Sequence, residues 1–209
     1  MPPYMLITHP VLPDRFNQIT MRFLLFFFLY FIPAENLFAS DNITTQRNYP
    51  VPGHGEVVLE VPENWEVTYL SLAGDKPPVI TFYQTDNQEN EIFQFNLSIF
   101  WDDGFKRDIT NPENIKALVN DVGESILESS AETELVLNSI TGTEGHGYYF
   151  NLSDKAVKPG EYKYLTQGAL NVRELLLVFS LFTYEPDIQL QNIALEMMQT
   201  ATHKNQRGI

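Results

Sequence analysis

Residues Gly145–Tyr184 constrain the fold more than any other part of the chain. Tyr148, Phe150 and Leu152 alternate with Tyr149, Asn151 and Ser153, and the period of two continues through Tyr162–Leu170 and Leu175–Phe182. In an extended backbone successive side chains point to opposite sides. The segment is therefore expected to form three consecutive strands in the middle of a sheet, with short connections that favour antiparallel neighbours.

The same period appears upstream. Val57, Leu59 and Val61 alternate with Val58 and Glu60, and Pro62-Glu63-Asn64 turns the chain into Trp65, Val67 and Tyr69, which suggests a first hairpin. Val79–Tyr83 is a short β-rich run. In the clearer strand after it, Phe93, Phe95, Leu97, Ile99 and Trp101 point one way while Gln94, Asn96 and Ser98 point the other. One side of that strand is core and the other is wet or partly covered. Glu134–Ile140 resumes the extended pattern.

Two segments switch to helical spacing. Thr110-Asn111-Pro112-Glu113 is a helix start read in two ways: Thr110 caps with Glu113 in capping-box spacing, or Asn111 caps with Pro112 first in the helix. Ile115, Leu118, Val119, Val122 and Ile126 then form an apolar stripe. Glu185-Pro186-Asp187 opens a second helix, with acidic residues in its first turn favourable to the helix dipole. Its buried stripe is Leu190, Ile193, Ala194, Met197 and Ala201, and the chain frays from His203. The fold class is therefore α+β, an antiparallel β-sheet of about eight strands covered by two main helices.

Met21-Arg22, the apolar run FLLFFFLYFIP and the small residue Ala39 have the anatomy of a secretory signal peptide, with cleavage near Ala39. The run is shorter than the roughly 20 residues that span a bilayer. Met21 is a second candidate for the initiator. The chain thus divides into an upstream segment and signal peptide over 1–40, an extended lead-in over 41–55, a single domain over 56–202 and a polar tail over 203–209. That address makes the protein periplasmic or secreted, with membrane contact limited to export. Asp14 and Glu35 balance Arg15 and Arg22, so the folded part keeps the whole net charge of −14. Such a field repels phosphate backbones, which argues against nucleic acid as a partner. The absence of cysteine removes disulfides, thiolate nucleophiles and cysteine-ligated zinc.

Two Gly-His-Gly triplets, Gly53-His54-Gly55 and Gly145-His146-Gly147, each have a carboxylate beside them, Glu56 and Glu144. A zinc site shared by His54, His146, Glu56 and Glu144 forms if the two loops meet. The alternative is that the glycines permit turns and the histidines are solvated. Asp102-Asp103-Gly104 offers carboxylates to calcium but lacks the remaining ligands of an EF-hand loop, and reads as a turn. Serines in Ser125–Ser130 sit on a helix, with no G-x-S-x-G elbow, so no catalytic residues are assigned. Tyr148, Tyr149, Tyr162 and Tyr164 line either a ligand groove or the edge of the core.

Val61-Pro62-Glu63-Asn64-Trp65, Gly147-Tyr148-Tyr149-Phe150, Gly160-Glu161-Tyr162, Gln167-Gly168 and the apolar strand Leu175–Phe182 together resemble the PsbP-like superfamily, which includes the extrinsic photosystem II protein and bacterial periplasmic relatives of DcrB type. The resemblance covers about 55–202. It implies an antiparallel sheet covered by helices, an extracytoplasmic location and usually no catalysis, with no catalytic motif or cofactor to carry over. The function expected is that of an exported, non-catalytic accessory or binding domain acting through protein or ligand contacts. The alternatives are a metal-binding protein or metal-assisted hydrolase using His54 and His146, and a carrier with an apolar pocket between helix and sheet.

Overall fold

The structure is a computed structural model that describes residues 43–71, 76–101 and 108–205. The expected signal peptide, Asp102-Asp103-Gly104 and the last residues of the tail lie outside them. Among the described residues there are ten strands and two long helices. They run β1 (Thr44–Val51), β2 (Gly55–Pro62), β3 (Glu66–Leu70), β4 (Val79–Thr85), β5 (Glu91–Trp101), α1 (Pro112–Leu127), β6 (Asn138–Gly142), β7 (Gly145–Ser153), β8 (Tyr164–Val172), β9 (Leu175–Thr183), α2 (Ile188–Gln199) and β10 (Thr202–Lys204).

Seven strands form one sheet in the order β3-β4-β5-β9-β8-β7-β6, and three form a second in the order β1-β2-β10. Every pairing is antiparallel. β9 is the central strand of the large sheet, with β8 and β7 beside it, so the alternating segment does occupy the middle. The α+β class holds, with the strands divided between two sheets.

The large sheet has two unlike faces. On one, Phe82, Phe93, Phe95 and Phe179 are at most 1% exposed and join Leu59 and Val61 of the small sheet and Met197 and Met198 of α2 in a single apolar cluster. Full burial of each such side chain contributes roughly 1.5–3 kcal/mol. On the other face α1 lies over β7 and β8, placing Ile115 and Val119 against Phe150, Leu152 and Ala169. Gly123 of α1 is buried because Leu135 packs there; a Cβ would meet its methyls at 2.6 Å.

The α1 start follows the second of the two sequence readings. Asn111 Oδ1 accepts a 3.0 Å hydrogen bond from the Glu113 amide and Pro112 is the first helical residue, while Thr110 Oγ1 donates to Asp108 at 2.6 Å. Asp187 caps α2 by accepting from the Leu190 amide at 2.9 Å. It therefore stands just outside the helix, and the first turn of α2 carries no acidic residue.

Four expectations are corrected. The lead-in is mostly β1, whose eight residues pair with β2, so the folded part begins before residue 56. The Val57–Tyr69 hairpin does not form: β2 pairs with β1 and β10, and β3 pairs with β4. Pro62-Glu63-Asn64 does turn the chain, but the turn carries it from one sheet to the other. Glu134–Leu137 precedes its strand, which runs over Asn138–Gly142. The tail does not fray at His203, because Thr202, His203 and Lys204 pair with Val58, Val57 and Glu56 and the His203 ring is buried.

Candidate functional site

The two Gly-His-Gly triplets have different physical origins. Gly53 and Gly55 have φ of 78° and 85°, the left-handed region that favours glycine, in the turn joining β1 to β2. His54 in that turn stacks on Trp101, with ring centroids 4.7 Å apart. Gly145 and Gly147 instead allow close strand approach: a Cβ would lie 1.9 Å from the Asn171 carbonyl oxygen and 2.0 Å from that of Ala169. His146 between them belongs to the β6–β7 ladder, opposite Thr141, and its Nε2 is buried without a hydrogen-bond partner.

The carboxylates beside these histidines turn elsewhere. Glu56 accepts from Asn48 Nδ2 at 2.9 Å. Glu144 accepts from Arg173 Nη2 at 2.6 Å and from the His203 amide at 2.7 Å. Partial burial pushes the Glu144 carboxyl up, but these two hydrogen bonds and the Arg173 charge outweigh it and hold the group below the ordinary carboxylate range. Among the described residues no three His, Asp or Glu side chains gather to hold a metal ion, so His54, His146, Glu56 and Glu144 do not form one ligand set.

What converges instead is a set around His203, which the sequence reading placed in a frayed tail. Its Nε2 lies 2.5 Å from the His54 carbonyl oxygen. A carbonyl only accepts, so Nε2 carries the proton. Its Nδ1 lies 3.2 Å from a Glu174 carboxylate oxygen, though out of line for a hydrogen bond. Backbone pairing and the His54 carbonyl fasten the last strand to the small sheet, while Glu144 and Glu174 tie it to two turns of the large sheet. This arrangement holds the fold together and leaves the His203 ring fully enclosed.

The four tyrosines also separate. Tyr148 packs in the α1 cluster beneath Lys116, whose Nζ is 5.8 Å from the ring centre, whereas Tyr149 packs against the opposite cluster. Tyr162 donates to Glu91 at 2.9 Å and lies against Tyr184 at 4.4 Å; burial, then the Glu91 carboxylate, pushes its phenol above the ordinary range. Tyr162 and Tyr164 line a shallow groove of about 230 Å³ beside Ser130 at the end of α1. The hydroxyls of Ser125, Ser129 and Ser130 donate to the carbonyls of Val122, Ile126 and Leu127 at 2.6, 2.8 and 2.8 Å, so each is held by its own helix.

The feature with the clearest capacity to bind lies on the α1 side of the large sheet. α1 lies mainly over β7 and β8, with Val178 of β9 and Phe100 of β5 reaching its edge, and β4 and β3 continue the sheet on the far side. Register places Thr68, Thr81, Asn96, Ser180 and Gln167 in one row across five strands. Thr81 Oγ1 and Gln94 Nε2 both donate to Asn96 Oδ1, at 2.9 and 3.0 Å, which fixes the amide orientation. The polar alternates of β5 marked this face in the sequence as wet or partly covered; which strands α1 covers had no sequence signal.

Where α1 meets this face there is a cavity of about 190 Å³ whose accessible wall is carbon throughout. Leu118 and Val122 form its helix side, and Phe100, Phe150, Ala169 and Val178 its sheet side. None of the seven strands contains a lysine or arginine, and their carboxylates are Glu66 and Glu91. In a protein of net charge −14, the sheet is the part that carries almost no charge.

No family model matches the chain, and no curated protein matches it. Among solved structures it is similar to the solution structure of cyanobacterial PsbP (CyanoP) from Synechocystis sp. PCC 6803, with 12% identity over 78% of this chain and 94% of that one and a TM-score of 0.49. It is also similar to a crystal structure from Bacteroides thetaiotaomicron VPI-5482, with 16% identity over 73% of this chain and a TM-score of 0.41. The match spans 46% of that second chain.

Proposed function

We infer that this chain is an exported, non-catalytic accessory domain that binds a protein partner through the open face of its large sheet. The observation that carries this reading is the lysine- and arginine-free face itself, with its row of hydroxyls and amides beside an apolar cavity. Charged residues are depleted at the centres of protein interfaces because burying a charge costs more than burying a hydroxyl or amide that finds a partner. Export is supported by the Met21–Ala39 segment.

Cavity size favours a protein partner over the carrier reading. Small-molecule sites commonly measure about 300–1,000 Å³, against about 190 Å³ here. The metal reading has less support, since Glu144 is committed to Arg173 and His203 and Glu56 to Asn48.

A photoreactive amino acid introduced at Thr68 or Ser180 of the full-length protein, compared with one at the exposed Lys158, tests the reading in cells. The expected result is a protein adduct from the two sheet positions and none from Lys158. Adducts from none of the three would overturn it.

A further inference from the structure

We propose that the cavity under α1 receives a single phenylalanine or leucine side chain from a partner segment whose flanking residues are basic. The proposal rests on the binding-domain reading and adds the chemistry of what is bound. Size sets the first half. A dry cavity of about 150 Å³ lined by aliphatic and aromatic carbon accepts benzene, so about 190 Å³ of the same lining accepts one phenyl or isobutyl group. The all-carbon wall offers a polar side chain no hydrogen bond, and burying it there would be unfavourable. Leu118 and Val122 are half-buried on α1, so a side chain can enter between them and the floor strands.

Charge sets the second half. Glu113 and Glu124 are exposed on the outer side of α1, where they add to the long-range negative field without touching the cavity, and Lys116 of the same helix is engaged over the Tyr148 ring. No lysine or arginine stands on the floor strands, and the chain as a whole carries −14. An acidic partner, including a second copy of this chain, meets repulsion here. A basic one is steered in and keeps its charges at the solvated rim while its apolar side chain is buried. The hydroxyl and amide row from Thr81 to Gln167 offers donors and acceptors to the backbone of that segment.

The test titrates isotope-labelled full-length protein with a short synthetic peptide carrying one phenylalanine between lysines, read by backbone amide NMR shifts. Shifts are expected at Val122, Phe150, Gly168 and Val178. Replacing the peptide phenylalanine by alanine should weaken binding about tenfold or more, and replacing its lysines by glutamates should also weaken it. Val122→Phe, which fills the cavity from a half-buried helix position, should remove the response. The proposal is overturned by shifts that map elsewhere, by equal binding of the alanine or glutamate peptide, or by no shift with any peptide. If photo-adducts still form at Thr68 or Ser180 in that case, the binding domain stands and the anchor chemistry is wrong. Their absence as well removes both.

Discussion

The two faces of the large sheet are built from the same strands and differ in almost every physical respect. Under the small sheet and α2, Phe95 meets Phe82 in a tilted contact at 6.0 Å and stacks on Phe179 at 6.1 Å, and all three rings are buried. Under α1, half the face is covered and the rest presents hydroxyls and amides. One backbone alternation therefore supplies both a closed stabilising side and an open side on which side chains are freer of packing demands. Stability and recognition are separated by residue parity, and substitutions on adjacent residues of one strand should have unlike consequences.

The sharpest test of that separation is Phe95→Ala, which empties a fully buried position. A loss of about 3–5 kcal/mol is expected in denaturant unfolding, and a loss below about 1 kcal/mol would break the contrast between the faces. Next comes His203→Ala. It strips the His54 carbonyl and Glu174 of their ring contacts, and about 1–3 kcal/mol should be lost. If β10 is only an ornament of the small sheet, the unfolding midpoint will not move.

A pH series probes the same strand. Glu144 has its folded-state value depressed, with burial opposing and the Arg173 and His203 hydrogen bonds prevailing. Its contribution is thus present above the ordinary glutamate value of about 4.3 and lost as pH falls through the lower folded value. Stability should decline on acidification below about pH 5, and Glu144→Gln should flatten that part of the curve. The smallest effect is expected from Ser180→Ala on the open face, within about 0.5 kcal/mol in stability. Its partner adducts or peptide shifts should nonetheless change, and an equal loss of stability and binding would erase the division of labour.

Much of this contrast was legible in the alternation of β5, β7, β8 and β9, where parity assigns each side chain a face. Parity alone assigns Phe93, Phe95, Leu97, Ile99 and Trp101 to the core and Gln94, Asn96 and Ser98 to the wet side. The missing pieces share a cause: they depend on pairing between distant residues. β1 buries only Tyr49 and Val51 and contains Pro50, so its own pattern is weak and its strand character comes from β2. β10 has three residues, too few for periodicity. His203 finds its carbonyl partner 149 residues away. Turn chemistry at Pro62-Glu63-Asn64 specified a change of direction, while the choice of sheet was made by the cluster joining Trp65 to Phe93 at 4.8 Å. Likewise the triplet glycines read alike in sequence, yet Gly53 serves a backbone angle and Gly147 a carbonyl approach.

The attachment of β10 to β2 bears on the order of assembly. Thr202 pairs with Val58, so the small sheet closes with almost the last described residues of the chain. Pairings between such distant segments form late and slowly because a long loop must close first. A chain that emerges from the ribosome N-terminus first holds β2 beside β1 alone until β10 is made, so the strand that fastens the fold also sets when its core can be completed.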